Sequence, residues 1–271
     1  MKTIAEIEIF AKQIRLLCLD MAHACGSNGS HLGGGLSPVE IFATLFGRIM
    51  NLTPQNRFDK NRDRLVVSKG HCVLSYYAAL HLSGLIDRNA IDSFEVAGSH
   101  FHGHAMRNLQ NGIEFSGGSL SMGMSFAVGQ AYACRAKGYA SNVYCLIGDG
   151  ECNEGLIWEA AMAAANFQLS NLKVIVDKNN LQYDGPTASV MNTDSLKSKF
   201  EAFGFDTTEV DGHSVPMLLE ALTAKSTKPR CIIADTVKGK GVSFMEGIKE
   251  WHHHTLSPEQ YKSARKEVCN D

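Results

Sequence analysis

The stretch Val143–Gly185, VYCLIGDGECNEGLIWEAAMAAANFQLSNLKVIVDKNNLQYDG, limits the possible folds more tightly than any other part of the chain. Val143–Ile147 is a short apolar run that ends in Gly148-Asp149-Gly150, the pattern of a buried parallel strand entering a turn. Glu154–Gln168 is alanine-rich, with Gly155 its only glycine, and reads as a helix. Lys173–Asp177 is a second apolar, β-branched run, closed by Asp177-Lys178-Asn179-Asn180. Together they predict a βαβ unit whose two polar turns lie at the carboxyl ends of parallel strands, where open α/β sheets hold ligands. The predicted class is α/β, an open, mostly parallel sheet with helices on both faces.

Asp149 and Asn179 stand at those two strand ends, which neighbouring parallel strands bring close together. A carboxylate, an amide oxygen and a backbone carbonyl make an oxygen cage that suits Mg²⁺ once a substrate or cofactor phosphate completes the octahedron. Gly150 leaves room for a diphosphate to approach the backbone. Alone, the GDG triplet would fit an ordinary βα turn with Asp as a helix cap. Its pairing with Asn-Asn after the next strand favours a ligand site.

GDG followed one βα unit later by Asn-Asn resembles the signature of thiamine-diphosphate enzymes. In detail, GDGECNEGLIWEA and VDKNNLQYDG are similar to transketolase. The resemblance runs from about Ser30 to His253 and covers only the first, diphosphate-binding domain of such an enzyme. It implies the thiamine-diphosphate-binding fold over residues 1–271 as a single domain, with the pyrimidine-binding and C-terminal domains absent from the chain. It implies Mg²⁺ (or Ca²⁺ or Mn²⁺) on Asp149, Asn179 and the backbone of Leu181. Cofactor contacts are implied at Gly148, Asp149, Gly150, Asn179 and Leu181. Glu154, the acid that follows the GDG motif, is expected behind them at a domain interface alongside Glu151.

Composition narrows the function classes. Hydrophobic residues at 44% and charged residues at 20% predict a soluble globular protein, and 25 glycines suit a fold full of tight βα turns. A net charge of −2 gives no electrostatic footprint for nucleic acid or an anionic membrane. No apolar run reaches transmembrane length, and Met1–Asp20 is charged and amphipathic rather than a secretion signal. The eight cysteines lack metal or disulfide-framework spacing, so buried free thiols in a reducing cytoplasm are expected.

In chain order, Ile4–Ala24 carries apolar residues at helical spacing and predicts an opening helix. Gly26–Leu36, GSNGSHLGGGL, reads as a glycine-rich loop, either a flexible turn or a ligand loop. SHLGGGLSPVEI is similar to the first histidine loop of transketolases, in which the histidine faces the donor sugar. That implies a catalytic role for His31, with Leu32 where the family usually has Pro. Pro38–Gly47 predicts a helix with Ser37 as its cap. Leu65–Val67 predicts a strand, followed by Ser68-Lys69-Gly70-His71 and an apolar helix over Cys72–Leu82. The SxGH resemblance implies that His71 faces cofactor or substrate, whereas His81, in mid-helix, reads as structural.

Ser99–Met106, SHFHGHAM, departs from the family's Gly-His-Pro, and His104 aligns best with its sugar-facing histidine. His100 and His102 alternate with it; extended, the three could bind Zn²⁺ or Ni²⁺, or they could tailor the sugar site. Gly117-Gly118-Ser119-Leu120 opens a helix to about Lys137 and resembles the segment that supports the aminopyrimidine, which implies Gly118, Ser119 and Leu120 as cofactor contacts. Ser121-Met122 replaces the usual Gly-Gln there. Ser125, Gly129 and Ala133 recur every four residues, a stripe for close helix packing within the fold or across a subunit boundary. Ser195–Phe203 and Val215–Lys225 predict amphipathic helices, and Arg230–Thr236 the last strand. TVKGKGVSFMEG and WHHHTLSPEQYKSA resemble the end of the same domain. Lys238 and Lys240 are either solvated or close to phosphate. His252, rather than His253, is expected at the diphosphate region, and His254 at the surface.

The resemblance therefore implies one half of a split transketolase, in which thiamine diphosphate moves a two-carbon ketol unit from a ketose to an aldose. The partner would be a separately encoded pyrimidine-domain chain, with the two assembled as α2β2. Rival readings are a component of a deoxyxylulose-phosphate-synthase-like or 2-oxo-acid-decarboxylating enzyme, or a cofactor-binding chain without catalysis.

Overall fold

A computed structural model describes residues 1–270. Five strands, β1 (Arg64–Val67), β2 (Val143–Gly148), β3 (Leu172–Lys178), β4 (Asp206–Asp211) and β5 (Arg230–Asp235), form one sheet in the order β1-β2-β3-β5-β4. Every pairing is parallel, so the predicted mostly parallel sheet is parallel throughout. Parallel strands need covered faces, and the alternation along each strand supplies two cores. Val143, Cys145 and Ile147 of β2 face one layer, while Tyr144 and Leu146 face the other.

The helices divide between those layers. In chain order they are α1 (Ile4–Ala24), α2 (Leu32–Leu36), α3 (Val39–Thr44), α4 (Val73–Leu82), α5 (Arg88–Asp92), α6 (Met122–Ala136), α7 (Gly155–Asn166), α8 (Thr187–Val190), α9 (Leu196–Ala202), α10 (Val215–Thr223) and α11 (Pro258–Asn270). α1, α3, α4, α10 and α11 bury residues in one core, and α6, α7 and α9 in the other. α1 begins in a capping box, in which Thr3 and Glu6 satisfy each other's backbone donors. Among the described residues, no helix is long and apolar enough to cross a membrane.

Two local expectations are corrected. The glycine-rich stretch is not a loose loop, because Leu32–Leu36 is helical and buried. A Cβ on Gly33 would meet the Trp251 carbonyl oxygen at 2.7 Å, and one on Gly34 the His71 carbonyl oxygen at 3.0 Å. The glycines are there so that three backbones can touch. Nor does Ser37 cap α3; its hydroxyl donates instead to Asp177 Oδ2, 2.6 Å away. Two elements carry too weak a pattern to read. β4, DTTEVD, buries only Val210, and α11 buries only Ala264 and Val268.

Candidate active site

The segments that follow β1, β2, β3 and β5 converge at one end of the sheet, around a cavity of about 520 Å³. α2, with its start at His31, closes one side, held by antiparallel bonds between Ser30 and His254 of 3.0 and 3.1 Å. This bridge, with the contact at Gly33, places the His252–His253 segment beside His31.

One end of the cavity is built of oxygen atoms. Asp149 is buried, and its Oδ2 accepts from the Asn180 amide (2.8 Å) and the Thr187 hydroxyl (3.1 Å). Asn180 has a φ of 59°, a left-handed turn that Asn tolerates. Asn179 Oδ1 accepts from the Leu181 amide at 3.1 Å, so the two residues are fixed relative to each other. Asp149, Asn179 and Leu181 all line the cavity. Burial raises the Asp149 carboxyl above its ordinary range, and the neighbouring Asp177 adds to this. A divalent cation would offset that cost, and a carboxylate, an amide oxygen and a carbonyl are the donors a hard cation takes. These residues fit a metal–diphosphate group. Gly150 fits it too, since a Cβ there would run into Gln182 Cγ at 2.7 Å.

Two ammonium groups lie near this carboxylate. Lys69 is buried and pairs with Asp177, which is fully buried and also accepts from Ser37 and Thr236. Burial alone would lower the Lys69 amine, but the Asp177 charge overcomes it and the net shift is upward. Lys238 is 2% exposed, and its Nζ reaches the Leu181 carbonyl (3.2 Å) and His252 Nδ1 (3.0 Å). Burial and the charge of Lys69 lower its amine to about 8. Cations at this depth suit an anionic ligand.

The other end is built of imidazoles. The His31 ring lies 4.7 Å from His71, 5.4 Å from His104, 5.7 Å from His252 and 4.7 Å from His253. His71 and His252 are 4.6 Å apart. Burial, with the neighbouring imidazoles and lysines, pushes His31, His71 and His252 each down to about 3. They are neutral at pH 7, and each ring then offers one N–H donor and one lone pair, a set that fits a hydroxyl-rich ligand. Ring nitrogens of His31, His71 and His252 lie within 4.8 Å of one another, close enough to hold a metal ion. Lys238 already takes one lone pair of that trio, and two ammonium groups nearby oppose a further cation.

Of the residues singled out in the sequence, His31, His71, His252, Leu120, Gly148, Asp149, Gly150, Glu151, Asn179 and Leu181 line the cavity. Glu151 is buried and accepts from Ser68 Oγ (2.5 Å), the Ser121 amide (2.6 Å) and the Gly148 amide (3.0 Å). It thereby ties the Leu120–Ser121 turn to the GDG turn. His104 packs against His31 and His71, and its Nδ1 is buried without a hydrogen-bond partner. Gly118, Ser119 and Glu154 are exposed and do not line the cavity. His100 lines a different hollow, so SHFHGHAM does not present its three imidazoles as one group. His253 joins His252 in the lining, while His254 is exposed. Sequence reasoning missed Lys69, Asp177 and Ser37, and left Lys238 undecided. A lysine two residues after a buried strand, in Ser68-Lys69-Gly70-His71, was the available signal.

Comparison with known proteins places the chain in a family. The family described as "Transketolase, thiamine diphosphate binding domain" matches residues 7–271. The chain is 39% identical over 245 residues to one of the subunits of the apulose-4-phosphate transketolase of Phocaeicola vulgatus, covering 89% of this chain and 87% of that one. It is 38% identical to the 6-deoxy-6-sulfo-D-fructose transketolase subunit SqwG of a Clostridium species, covering 95% of this chain and 94% of that one. The crystal structure of transketolase from Campylobacter jejuni superimposes with a TM-score of 0.90 at 32% identity, covering 99% of this chain. The chain spans 43% of the length of that transketolase. The sheet, the cavity at its carboxyl edge and these matches lead to one statement: this chain belongs to the transketolase family, in its thiamine-diphosphate-binding domain.

Proposed function

We propose that this chain is the diphosphate-binding half of a split transketolase, which transfers a two-carbon ketol unit from a phosphorylated ketose to an aldose. The observation that carries this reading is a single cavity with an oxygen cage and two ammonium groups at one end and a cluster of neutral imidazoles at the other. Thiamine diphosphate, when bound, supplies a carbon nucleophile and an electron sink. Asp149, Asn179 and the Leu181 carbonyl would hold Mg²⁺, or Ca²⁺ or Mn²⁺ in its place. Lys238 now donates to the Leu181 carbonyl, so metal binding there requires it to turn toward phosphate oxygens. Lys69 and Lys238 neutralise the diphosphate, and Gly148, Gly150 and Glu151 shape its approach. Leu120, with Gly118 and Ser119, faces the pyrimidine side, and Glu154 lies at the subunit boundary. His31, His71, His104 and His252 orient the sugar carbonyl and hydroxyls and pass protons between them.

The partner is a separately encoded chain carrying the pyrimidine-binding domain, two copies of each making α2β2, and this chain forms one diphosphate-binding domain over residues 1–271. Two features support that reading. Two relatives named as subunits of apulose-4-phosphate transketolases are matched over 87 and 97% of their length. α6, α7 and the residue that follows α7 also leave Met122, Tyr132, Met162 and Phe167 each more than 40% exposed. The small-residue stripe lies on that side, with Gly129 exposed and no atom within 4 Å of where its Cβ would be. Such a surface calls for a cover. The named relatives are subunits of transketolases, which favours ketol transfer over the other thiamine-diphosphate chemistries. Seven buried free thiols fit a cytoplasmic location. The test is calorimetry of thiamine diphosphate with Mg²⁺ on the wild type, Asp149→Ala and Asn179→Ala, with the partner present. Each variant should bind about tenfold or more weakly. Unchanged affinity in both would remove the metal-anchor assignment.

A further inference from the structure

The backbone that carries Lys238 is held by side chains that do not reach the cavity. The Val237 amide donates to His213 Nε2 at 2.9 Å, so the ring hydrogen sits on Nδ1, which donates to Glu40 Oε2 at 2.8 Å. Arg15 pairs with the other carboxylate oxygen of Glu40 at 2.5 Å, and its Nε donates to the Lys240 carbonyl at 2.9 Å. The network therefore grips the segment on both sides of Lys238, at the amide of Val237 and the carbonyl of Lys240. A Cβ on Gly241 would meet Arg15 Cδ at 2.6 Å, so the backbone lies directly against the guanidinium stem. Burial alone would raise the Glu40 carboxyl, but Arg15 and His213 outweigh it and hold it below its ordinary value.

These three groups come from α1, α3 and the turn after β4, and none lines the cavity. A buried charged group of this kind adds little stability over an apolar replacement. What it adds is direction, because two of its bonds fix backbone atoms, the Val237 amide and the Lys240 carbonyl, and Glu40 holds the two side chains that make them. Lys238 carries a flexible stem whose ammonium position depends on where that backbone stands.

We propose that His213, Glu40 and Arg15 are positioning residues that aim Lys238 at the cofactor's diphosphate. This rests on the reading of Lys238 as a phosphate-facing cation, and a double-mutant cycle tests the two separately. Thiamine diphosphate affinity, in the presence of Mg²⁺ and the partner chain, is measured calorimetrically on the full chain for His213→Ala, Lys238→Met and the combined variant. His213→Ala should weaken binding about five- to tenfold in the wild-type background and less than about twofold on the Lys238→Met background. His213→Gln, whose amide can accept from Val237 and donate to Glu40, should stay within about twofold of wild type. His213→Asn, too short to reach both partners, serves as a second disrupting variant where His213→Ala fails to fold. Equal losses in both backgrounds would overturn the proposal, as would wild-type affinity in both disrupting variants while Lys238→Met is weakened. Wild-type affinity in Lys238→Met would overturn the phosphate reading of Lys238 and this proposal with it.

Discussion

Replacing Lys69 by Met removes the cation paired with Asp177 and keeps the volume of the stem. Asp177 has no exposure to solvent, and Lys69 has 6%. Breaking a buried pair by removing one partner costs about 3–5 kcal/mol, because the remaining charge stays buried. Asp177 keeps its hydrogen bonds from Ser37 and Thr236, which places the expected loss near the lower end, about 3 kcal/mol. At roughly 2–4 °C per kcal/mol for a chain of this size, Tm should fall on the order of 10 °C. Adding Asp177→Asn removes the orphaned charge and should restore more than half of the loss. The sign of the pH dependence follows from Lys69, whose amine is raised in the folded chain by Asp177 against the effect of burial. Its contribution is present in full below the unfolded lysine value and is lost as pH rises through the higher folded value. The gap between wild type and Lys69→Met should therefore hold through neutrality and close at strongly alkaline pH. Urea titrations and thermal melts followed by circular dichroism measure all of this. A Lys69→Met variant within about 1 kcal/mol of wild type, or no rescue by Asp177→Asn, would refute the assignment of a stabilising buried pair.

Two further outcomes are expected. Gly33→Ala must push the Trp251 carbonyl away, since its Cβ would sit 2.7 Å from that oxygen. It should cost about 1–3 kcal/mol in urea unfolding and weaken cofactor binding, because His252 moves with Trp251. His31, His71 and His252 are held near 3 against an ordinary value of 6.5, so the unfolded chain takes up protons that the native chain refuses. Stability should fall as pH drops from about 6.5 towards 3, and His71→Gln should make that slope shallower by about one proton. An unchanged slope in acid titrations of the variant would contradict the neutral cluster.

The sheet and the oxygen end of the site were legible because they are local. An apolar run, GDG, a helix and Asn-Asn follow one another in a single stretch, and each strand end carries its own oxygen-bearing side chain, Asp149 or Asn179. The polar support beneath the site was not legible, since it joins residues far apart in the chain. Ser37 reads as a helix cap until Asp177, which reads as the end of an apolar strand, arrives beside it. The glycine run after His31 reads as a loop because local pattern cannot reveal that Trp251, His71 and Leu74 press on it. β4 was missed because its position at the sheet edge leaves it polar and half exposed.

Everything proposed for the site depends on its being shared between two chains, and reconstitution addresses that sharing. Ketol transfer from a phosphorylated ketose is measured for the purified chain, for a separately expressed pyrimidine-domain partner, and for the two mixed, each with thiamine diphosphate and Mg²⁺. Neither alone should turn over, and mixing should bring turnover together with tighter cofactor binding, since both events build one pocket. Sustained transfer by this chain in isolation, free of host transketolase, would contradict the shared site.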